Sequence, residues 1–224
     1  MKIVLDSGIL IGFSQTCFLP LMPEIKSKIG ELIITTGVKY ECIDRVRNNM
    51  KFKLSSLRIE EYINEFVFTV VSGSKELNEK TNRILNLSNS IFSINNNPLH
   101  LVDFGEAECL ALLGLTNADC LAIDERTTRM LVEAPEALLE VLKRKYRNKS
   151  ITLNSEKYEK FQQEIGKVTV IRSVDLFSYA YEKKLIPEYM LKREFLKSAL
   201  YSLKFNGCSV SFEEIDEYVN QLGQ

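Results

Sequence analysis

The sequence predicts an α/β domain built on a central parallel sheet. Two observations carry that reading. Short apolar runs alternate with helical stretches along the chain, the order that joins parallel strands through right-handed crossovers. The runs are also mostly continuous in apolar character rather than alternating, as strands are when both faces of their sheet are covered.

The first run, Lys2–Leu5, is broken by Asp6-Ser7-Gly8, with Ile9, Leu10, Phe13, Cys17 and Phe18 at helical spacing behind it. Leu32–Thr36 reads as a second strand that meets Gly37, followed by a helical segment to about Val46. Residues 66–71 read as a third strand, ended by Ser72-Gly73-Ser74, and 75–94 as a polar helix. Asn95-Asn96-Asn97-Pro98 marks a loop. Asp103–Gly114 is a strongly patterned helix, Cys120–Ile123 a strand closed by Asp124, and Arg126–Ala134 a helix. Residues 135–166 read as helical and highly charged, and Val168–Ile171 as the last strand. Helices follow at about 174–184, 187–203 and 212–222, the last opened by a capping box from Ser211 to Glu214.

Composition narrows the function classes. The 224 residues are 45% hydrophobic and 26% charged, ordinary values for a soluble globular chain. The net charge of −1 gives no global positive field, so a polyanion must be held by local basic patches. Five cysteines, Cys17, Cys42, Cys109, Cys120 and Cys208, form no C-x-x-C pair. They read as reduced core residues of a cytoplasmic protein. The single histidine, His100, builds neither a zinc site nor a histidine relay and reads as structural. Asp6 and then Ser14-Gln15-Thr16 interrupt the apolar N-terminal stretch, so neither a signal peptide nor a membrane span is expected.

The informative feature is where the acids fall. Asp6 and Asp124 each follow a strand directly, and in a parallel sheet such positions share the carboxyl edge, where open α/β folds bind ligands. Glu41 lies one turn into the helix after the second strand. Glu106 lies in the first turn of its helix, on the face of Leu110 and Leu113. Carboxylates brought together repel one another, and a divalent cation removes the conflict. An all-oxygen set selects Mg²⁺ or Mn²⁺, and the economical chemistry is attack of a metal-activated water on a phosphodiester. Each acid also has a structural reading: Asp6 and Asp124 as caps of the following helices, Glu106 as half of a capping box with Asp103, Glu41 as a surface partner of Arg45.

These residues resemble the PIN-domain family. Val4–Ile11 is similar to its opening strand with the aspartate, and Leu32–Glu41 to its second strand with the glutamate-bearing helix. Asp103–Leu112 resembles the acidic helix of a prokaryotic subgroup marked by a G-E-A-E motif. Ile123–Arg129 resembles the fourth site, where paired acids precede an arginine-containing helix. Thr36 stands where the family often has proline. The resemblance implies a three-layer α/β/α fold and a Mg²⁺- or Mn²⁺-dependent ribonuclease. It places a core at 1–134, a charged helical insertion at 135–166, and a last strand with C-terminal helices at 167–224. It implies Asp6, Glu41, Glu106 and Asp124 as catalytic and metal-binding acids, with Ser7, Asp103, Glu108 and Glu125 supporting them.

Two basic clusters offer phosphate contacts: Arg45 and Arg47 with Lys51 and Lys53, and the run holding Lys143, Arg144, Lys145, Arg147 and Lys149. The first expectation is therefore an RNA-cleaving enzyme, general or the toxin of a toxin–antitoxin pair, with a homodimer and an antitoxin as family-level partners. The second is a non-catalytic module of the same fold that binds RNA or a protein. A phosphatase of another α/β fold is disfavoured, because Asp6-Ser7-Gly8 lacks the D-x-D arrangement.

Overall fold

The computed structural model describes residues 1–147 and 149–223. Strand β1 (Lys2–Leu5) is buried from Ile3 onward, and Asp6 ends it by capping α1 (Ser7–Gln15). The chain turns at Cys17, with φ 63°, and passes through a 3₁₀ turn, Leu19–Leu21, into α2 (Met22–Ile29). Residues 7–15 and 19–29 meet at 114°, and among the described residues no single helix is long and apolar enough to cross a membrane.

Strand β2 (Glu31–Thr35) stops one residue short of the expected Thr36. Thr35 caps α3 (Thr36–Lys39), its Oγ1 accepting the Val38 N–H at 3.0 Å. The helix then widens into a π turn, Tyr40–Asp44, in which Arg45 N–H reaches the Tyr40 carbonyl at 2.9 Å. Such single π turns inside helices recur at functional sites. After α4 (Lys53–Asn64) comes β3 (Thr69–Val71). The strand expected over 66–71 keeps only its second half, because Phe66 takes φ 57° and lies 81% exposed.

Helix α5 (Lys75–Ser88) ends before the expected Ile94, giving way to β4 (Phe92–Ile94). The asparagine run is a hairpin rather than an open loop. Asn95 and Asn96 take φ 49° and 67°, and Ile94 pairs with Asn97 in β5 (Asn97–Pro98). A two-residue hairpin with positive φ at both positions suits asparagine.

Helix α6 (Phe104–Thr116), β6 (Cys120–Ala122), α7 (Arg126–Glu133) and α8 (Pro135–Lys145) follow. The segment 135–166, expected to be helical throughout, contains β7 (Ile151–Leu153) before α9 (Ser155–Ile165). Strand β7 pairs antiparallel with β4, so this segment is tied into a small sheet rather than set apart. Strand β8 (Val170–Ile171) leads to α10 (Ser173–Glu182), α11 (Arg193–Phe205) and α12 (Phe212–Leu222). The helix expected at 187–203 is split into a 3₁₀ turn, Glu188–Met190, and α11. The Ser211–Glu214 capping box is present.

The main sheet has five strands in the order β3-β2-β1-β6-β8, and each pairing is parallel. The chain moves outward from β1 through β2 to β3, then crosses back to β6 and β8. That reversal makes the carboxyl ends of β1 and β6 a topological switch point, where open α/β sheets leave a crevice. Helix α6 packs on β1, β2 and β6 with α5 and α9 behind it, while α1, α4 and α10 to α12 form a second helical group. The sheet is thus flanked by helices, consistent with three layers. Its buried residues, Val4, Leu5, Ile34 and Leu121 among them, fix the register, since a one-residue slip would turn every side chain over. All five cysteines are free and four are buried; Cys17 is exposed, contrary to the core expectation.

Candidate functional site

At the switch point lies a cavity of about 300 Å³ lined by Asp6, Ser7, Glu41, Arg45, Asp103, Glu106, Asp124, Glu125, Asn206 and Gly207. The four acids expected to act together share it, and three of them are anchored through one oxygen. Asp6, buried at the end of β1, accepts the Gly8 N–H on Oδ2 at 3.1 Å. Burial pushes its carboxyl up to about 6, and the nearby Glu41 and Asp124 add to the rise.

Asp124 follows β6 by way of Ile123. Its Oδ1 accepts the Ser173 N–H at 2.9 Å, so it caps α10 rather than the helix that follows it. That second task falls to Glu125, whose Oε2 accepts the Thr128 N–H at 2.6 Å. Burial raises the Asp124 carboxyl, while the Ser173 N–H and Arg172 oppose the rise.

Glu106 fills its capping role and also lines the cavity. Its Oε2 accepts the Asp103 N–H at 2.8 Å and the Thr128 hydroxyl at 2.9 Å. Burial pushes this carboxyl up to about 8, helped by the charges of Asp6 and Glu125. Glu41 rises from the π turn to lie against Gly105, where an added Cβ would stand 2.9 Å from Glu41 Oε1. A side chain at 105 would make the Glu41 carboxylate swing aside.

Glu108 does not line the cavity. It is buried, 3% exposed, and its Oε2 accepts the Gly37 N–H at 3.1 Å, at the start of α3. Its support is therefore indirect: it caps the helix that leads to Glu41. Ser7 lines the cavity. His100 stands outside, its Nε2 3.0 Å from Asp103 Oδ1.

Of the basic residues expected to meet phosphate, the structure brings Arg45 alone to this cavity. Arg47 pairs with Asp44 at 3.7 Å, and Lys143 with Glu140 at 2.9 Å. Arg144, Lys145 and Arg147 are exposed around the end of α8, and Lys145 and Lys149 flank the Tyr146 ring at 5.4 and 5.8 Å. Asn148 of that run lies outside the described residues.

Several contributors were not visible in the acidic pattern. Asn206 and Gly207 close one wall of the cavity, and Gly207 takes φ 114°, a conformation suited to glycine. An Asn-Gly dipeptide favours a turn, but only the topology brings this one to the cavity edge. Beneath it sits Arg172, 8% exposed. It reaches Glu214 Oε1 at 2.8 Å, Asp175 Oδ2 at 3.3 Å, the Ser209 carbonyl at 3.2 Å and the Tyr218 hydroxyl at 3.3 Å. This clamp joins α10, α12 and the 207–211 turn behind Asp124.

The donor chemistry suits a hard cation: oxygen ligands only, crowded, with carboxyls raised by burial and by one another. Among the described residues, however, no three Asp, Glu, His or Cys side chains stand close enough together to enclose an ion as placed. The anchoring bonds to Gly8, Ser173, Asp103 and Thr128 hold the carboxylates along the walls, and mutual repulsion opposes their closer approach.

No protein-family model matches the chain, and no curated protein or solved structure matches it.

Proposed function

We propose that the protein is a divalent-metal-dependent ribonuclease of PIN-like fold that hydrolyses RNA phosphodiester bonds. The observation that carries the reading is the meeting of Asp6, Glu41, Glu106 and Asp124 in one cavity at the switch point of the sheet. Acids merely capping their own helices have no reason to gather from β1, the π turn, α6 and the end of β6.

These four residues would hold Mg²⁺ or Mn²⁺. A bound ion there supplies activation of a water and stabilisation of the leaving oxygen. The chain's own groups orient and exclude. Asp6, directly after a buried strand and held by the Gly8 N–H, has little freedom to move, and the Ser173 N–H fixes the Asp124 carboxylate. Arg45 on the cavity wall supplies a positive charge for a phosphate oxygen. At neutral pH and without an ion, the raised Glu106 carboxyl holds a proton, and loading the site releases it.

The test is cleavage of single-stranded and structured RNA in Mn²⁺, with an EDTA control and an Asp6→Asn variant. Activity that requires metal and disappears in the variant is the expected result. Equal cleavage by Asp6→Asn would assign the activity to a contaminant and remove the proposal.

One observation favours a second reading, a non-catalytic module that binds RNA or a protein. The carboxylates as placed do not enclose an ion among the described residues. A calorimetric titration in which the wild type takes up neither Mn²⁺ nor Mg²⁺ would select that reading.

A further inference from the structure

Beside the acidic cavity, across the turn after α11, lies a second cleft of about 500 Å³ lined by Arg126, Arg129, Lys204, Phe205 and Phe212, with Glu213 and Glu214. The two hollows share a wall. Asn206 and Gly207 face the acids while Phe205 and Cys208 face the cleft, and Glu125 lines one where Arg126 lines the other.

The chemistry of this cleft is unlike that of its neighbour. Phe205 is 73% exposed and Phe212 is 48% exposed, at the end of one helix and the start of another. The Phe205 ring is held on its inner side by Tyr201, with centroids 6.1 Å apart and planes within 24°. With most of its surface open to solvent, the ring presents an aromatic face to the cleft. Three cations line the same cleft. Lys204 lies 4.4 Å over the Phe212 ring, and Arg129 donates to the Ser209 carbonyl at 3.3 Å while its Nε is buried without a hydrogen-bond partner among the described residues. Arg126 is exposed. Of the two acids, Glu214 is already committed to Arg172 at 2.8 Å, leaving Glu213 as the opposing charge.

We infer that this cleft is a subsite for single-stranded RNA, taking the nucleotide next to the one whose phosphate meets the acidic cavity. The inference rests on the nuclease reading for its polarity, but its ligand chemistry is argued from the cleft itself. A base stacks on the open side of Phe205, and its phosphate meets Arg126 with Lys204 behind. Flat aromatic platforms beside cations hold single strands without sequence preference, since every base has a π face. A duplex keeps its bases stacked inside and has nothing to offer the plate. The cluster at 143–149, one of the two basic clusters in the sequence, has cations but, among the described residues, no such exposed plate beside the acids.

The experiment is fluorescence anisotropy of a labelled oligouridine in EDTA, so that binding is read without cleavage. Phe205→Ala is expected to weaken binding about tenfold, the range for loss of one stacked base, and Phe205→Tyr to restore it. Arg126→Ala is expected to reduce the slope of log K against log salt by about 0.7, one phosphate contact on a single strand. Phe66→Ala, an equally exposed ring just before β3 at the other edge of the sheet, is expected to bind as the wild type does. Thermal melts check that each variant is folded.

Unchanged binding by both Phe205→Ala and Arg126→Ala would overturn the subsite, as would a wild type that binds no RNA. So would a concentration-dependent dimer abolished by Phe205→Ala with RNA binding intact, which would assign the aromatic face to a second copy of the chain. The nuclease reading is judged apart, by Mn²⁺-dependent cleavage. Cleavage with unchanged binding by the variants sinks the subsite alone; weakened binding with no cleavage in any metal sinks the nuclease alone.

Discussion

The carboxylate of Glu108 accepts the backbone N–H of Gly37 at 3.1 Å, joining the middle of α6 to the first turn of α3. Seventy-one positions separate the two residues along the chain. The bond answers one of the donors that a helix start leaves without an internal partner, and it does so on the short helix that leads into the π turn carrying Glu41. An acid two places along from Glu106 therefore belongs to the site's support.

Glu108→Ala is expected to destabilise the fold by about 1–3 kcal/mol, the range for leaving a buried partner unpaired. Glu108→Gln, which keeps an acceptor, should recover much of that loss. If Glu108 also positions Glu41, Mn²⁺ affinity should fall in the alanine variant and return in the glutamine one. Urea unfolding and metal titration on the same three proteins test both statements. Stability equal to wild type in Glu108→Ala would remove the capping role.

On the proposed reading, Asp6 has two tasks that a single substitution separates. As the cap of α1 it needs only an acceptor for the Gly8 N–H, and asparagine caps helices about as well as aspartate. As a ligand it needs charge. Asp6→Asn should therefore keep or raise the stability of the metal-free protein, because a buried, crowded carboxylate is gone, while Mn²⁺ uptake collapses. A variant that unfolds would show that the charge itself holds the fold together.

The legible part of this site was the part written at strand ends. Asp6 and Asp124 sit where a continuous apolar run meets an acid, and the boundary that ends each strand also marks its carboxyl edge. What escaped was contributed from a distance. Ser173 meets Asp124 because β8 lies beside β6, and Asn206-Gly207 arrives at the cavity by way of α11; neither placement has a local signature. Strands β4 and β7 escaped for another reason. At three residues each they are too short to show a period of two against the helical segments flanking them. The asparagines of the hairpin read equally as a loop, since their tolerance of positive φ serves both.

Arg172 is the joint on which the back wall depends. Its side chain is 9% exposed and bridges Asp175 and Glu214, with Tyr218 donating to Asp175 in turn. Removing one partner of a fully buried pair costs about 3–5 kcal/mol. The Asp175 and Glu214 side chains, however, are 29% and 39% exposed, so water takes up part of the charge left behind and the loss falls to about 1–3 kcal/mol. Arg172→Met is expected to lose stability in that range. Arg172→Lys should restore it only in part, since one ammonium cannot span the same four acceptors. Because the clamp holds the Ser209 carbonyl and the start of α10, Mn²⁺ affinity should fall in the same order. Urea midpoints equal to wild type in the methionine variant would contradict this.

The raised carboxyls make the metal-free protein weaken as pH increases. Glu106 rises from 4.5 to about 8 and Asp6 from 3.8 to about 6 in the fold. Between those limits the native state binds more protons than the unfolded chain, so stability falls with rising pH. The penalty is absent below the unfolded values and complete above the folded ones. In EDTA, the wild type should therefore show a lower urea midpoint at pH 8.5 than at pH 5. Glu106→Gln should flatten the part of that decline above about pH 7, where Asp6, raised only to about 6, is already largely ionised. Saturating Mn²⁺ should reverse the trend, because a ligand that binds only the native state with its carboxylates ionised adds stability as they deprotonate. A wild type and a Glu106→Gln variant with the same pH dependence in EDTA would show that Glu106 titrates alike folded and unfolded.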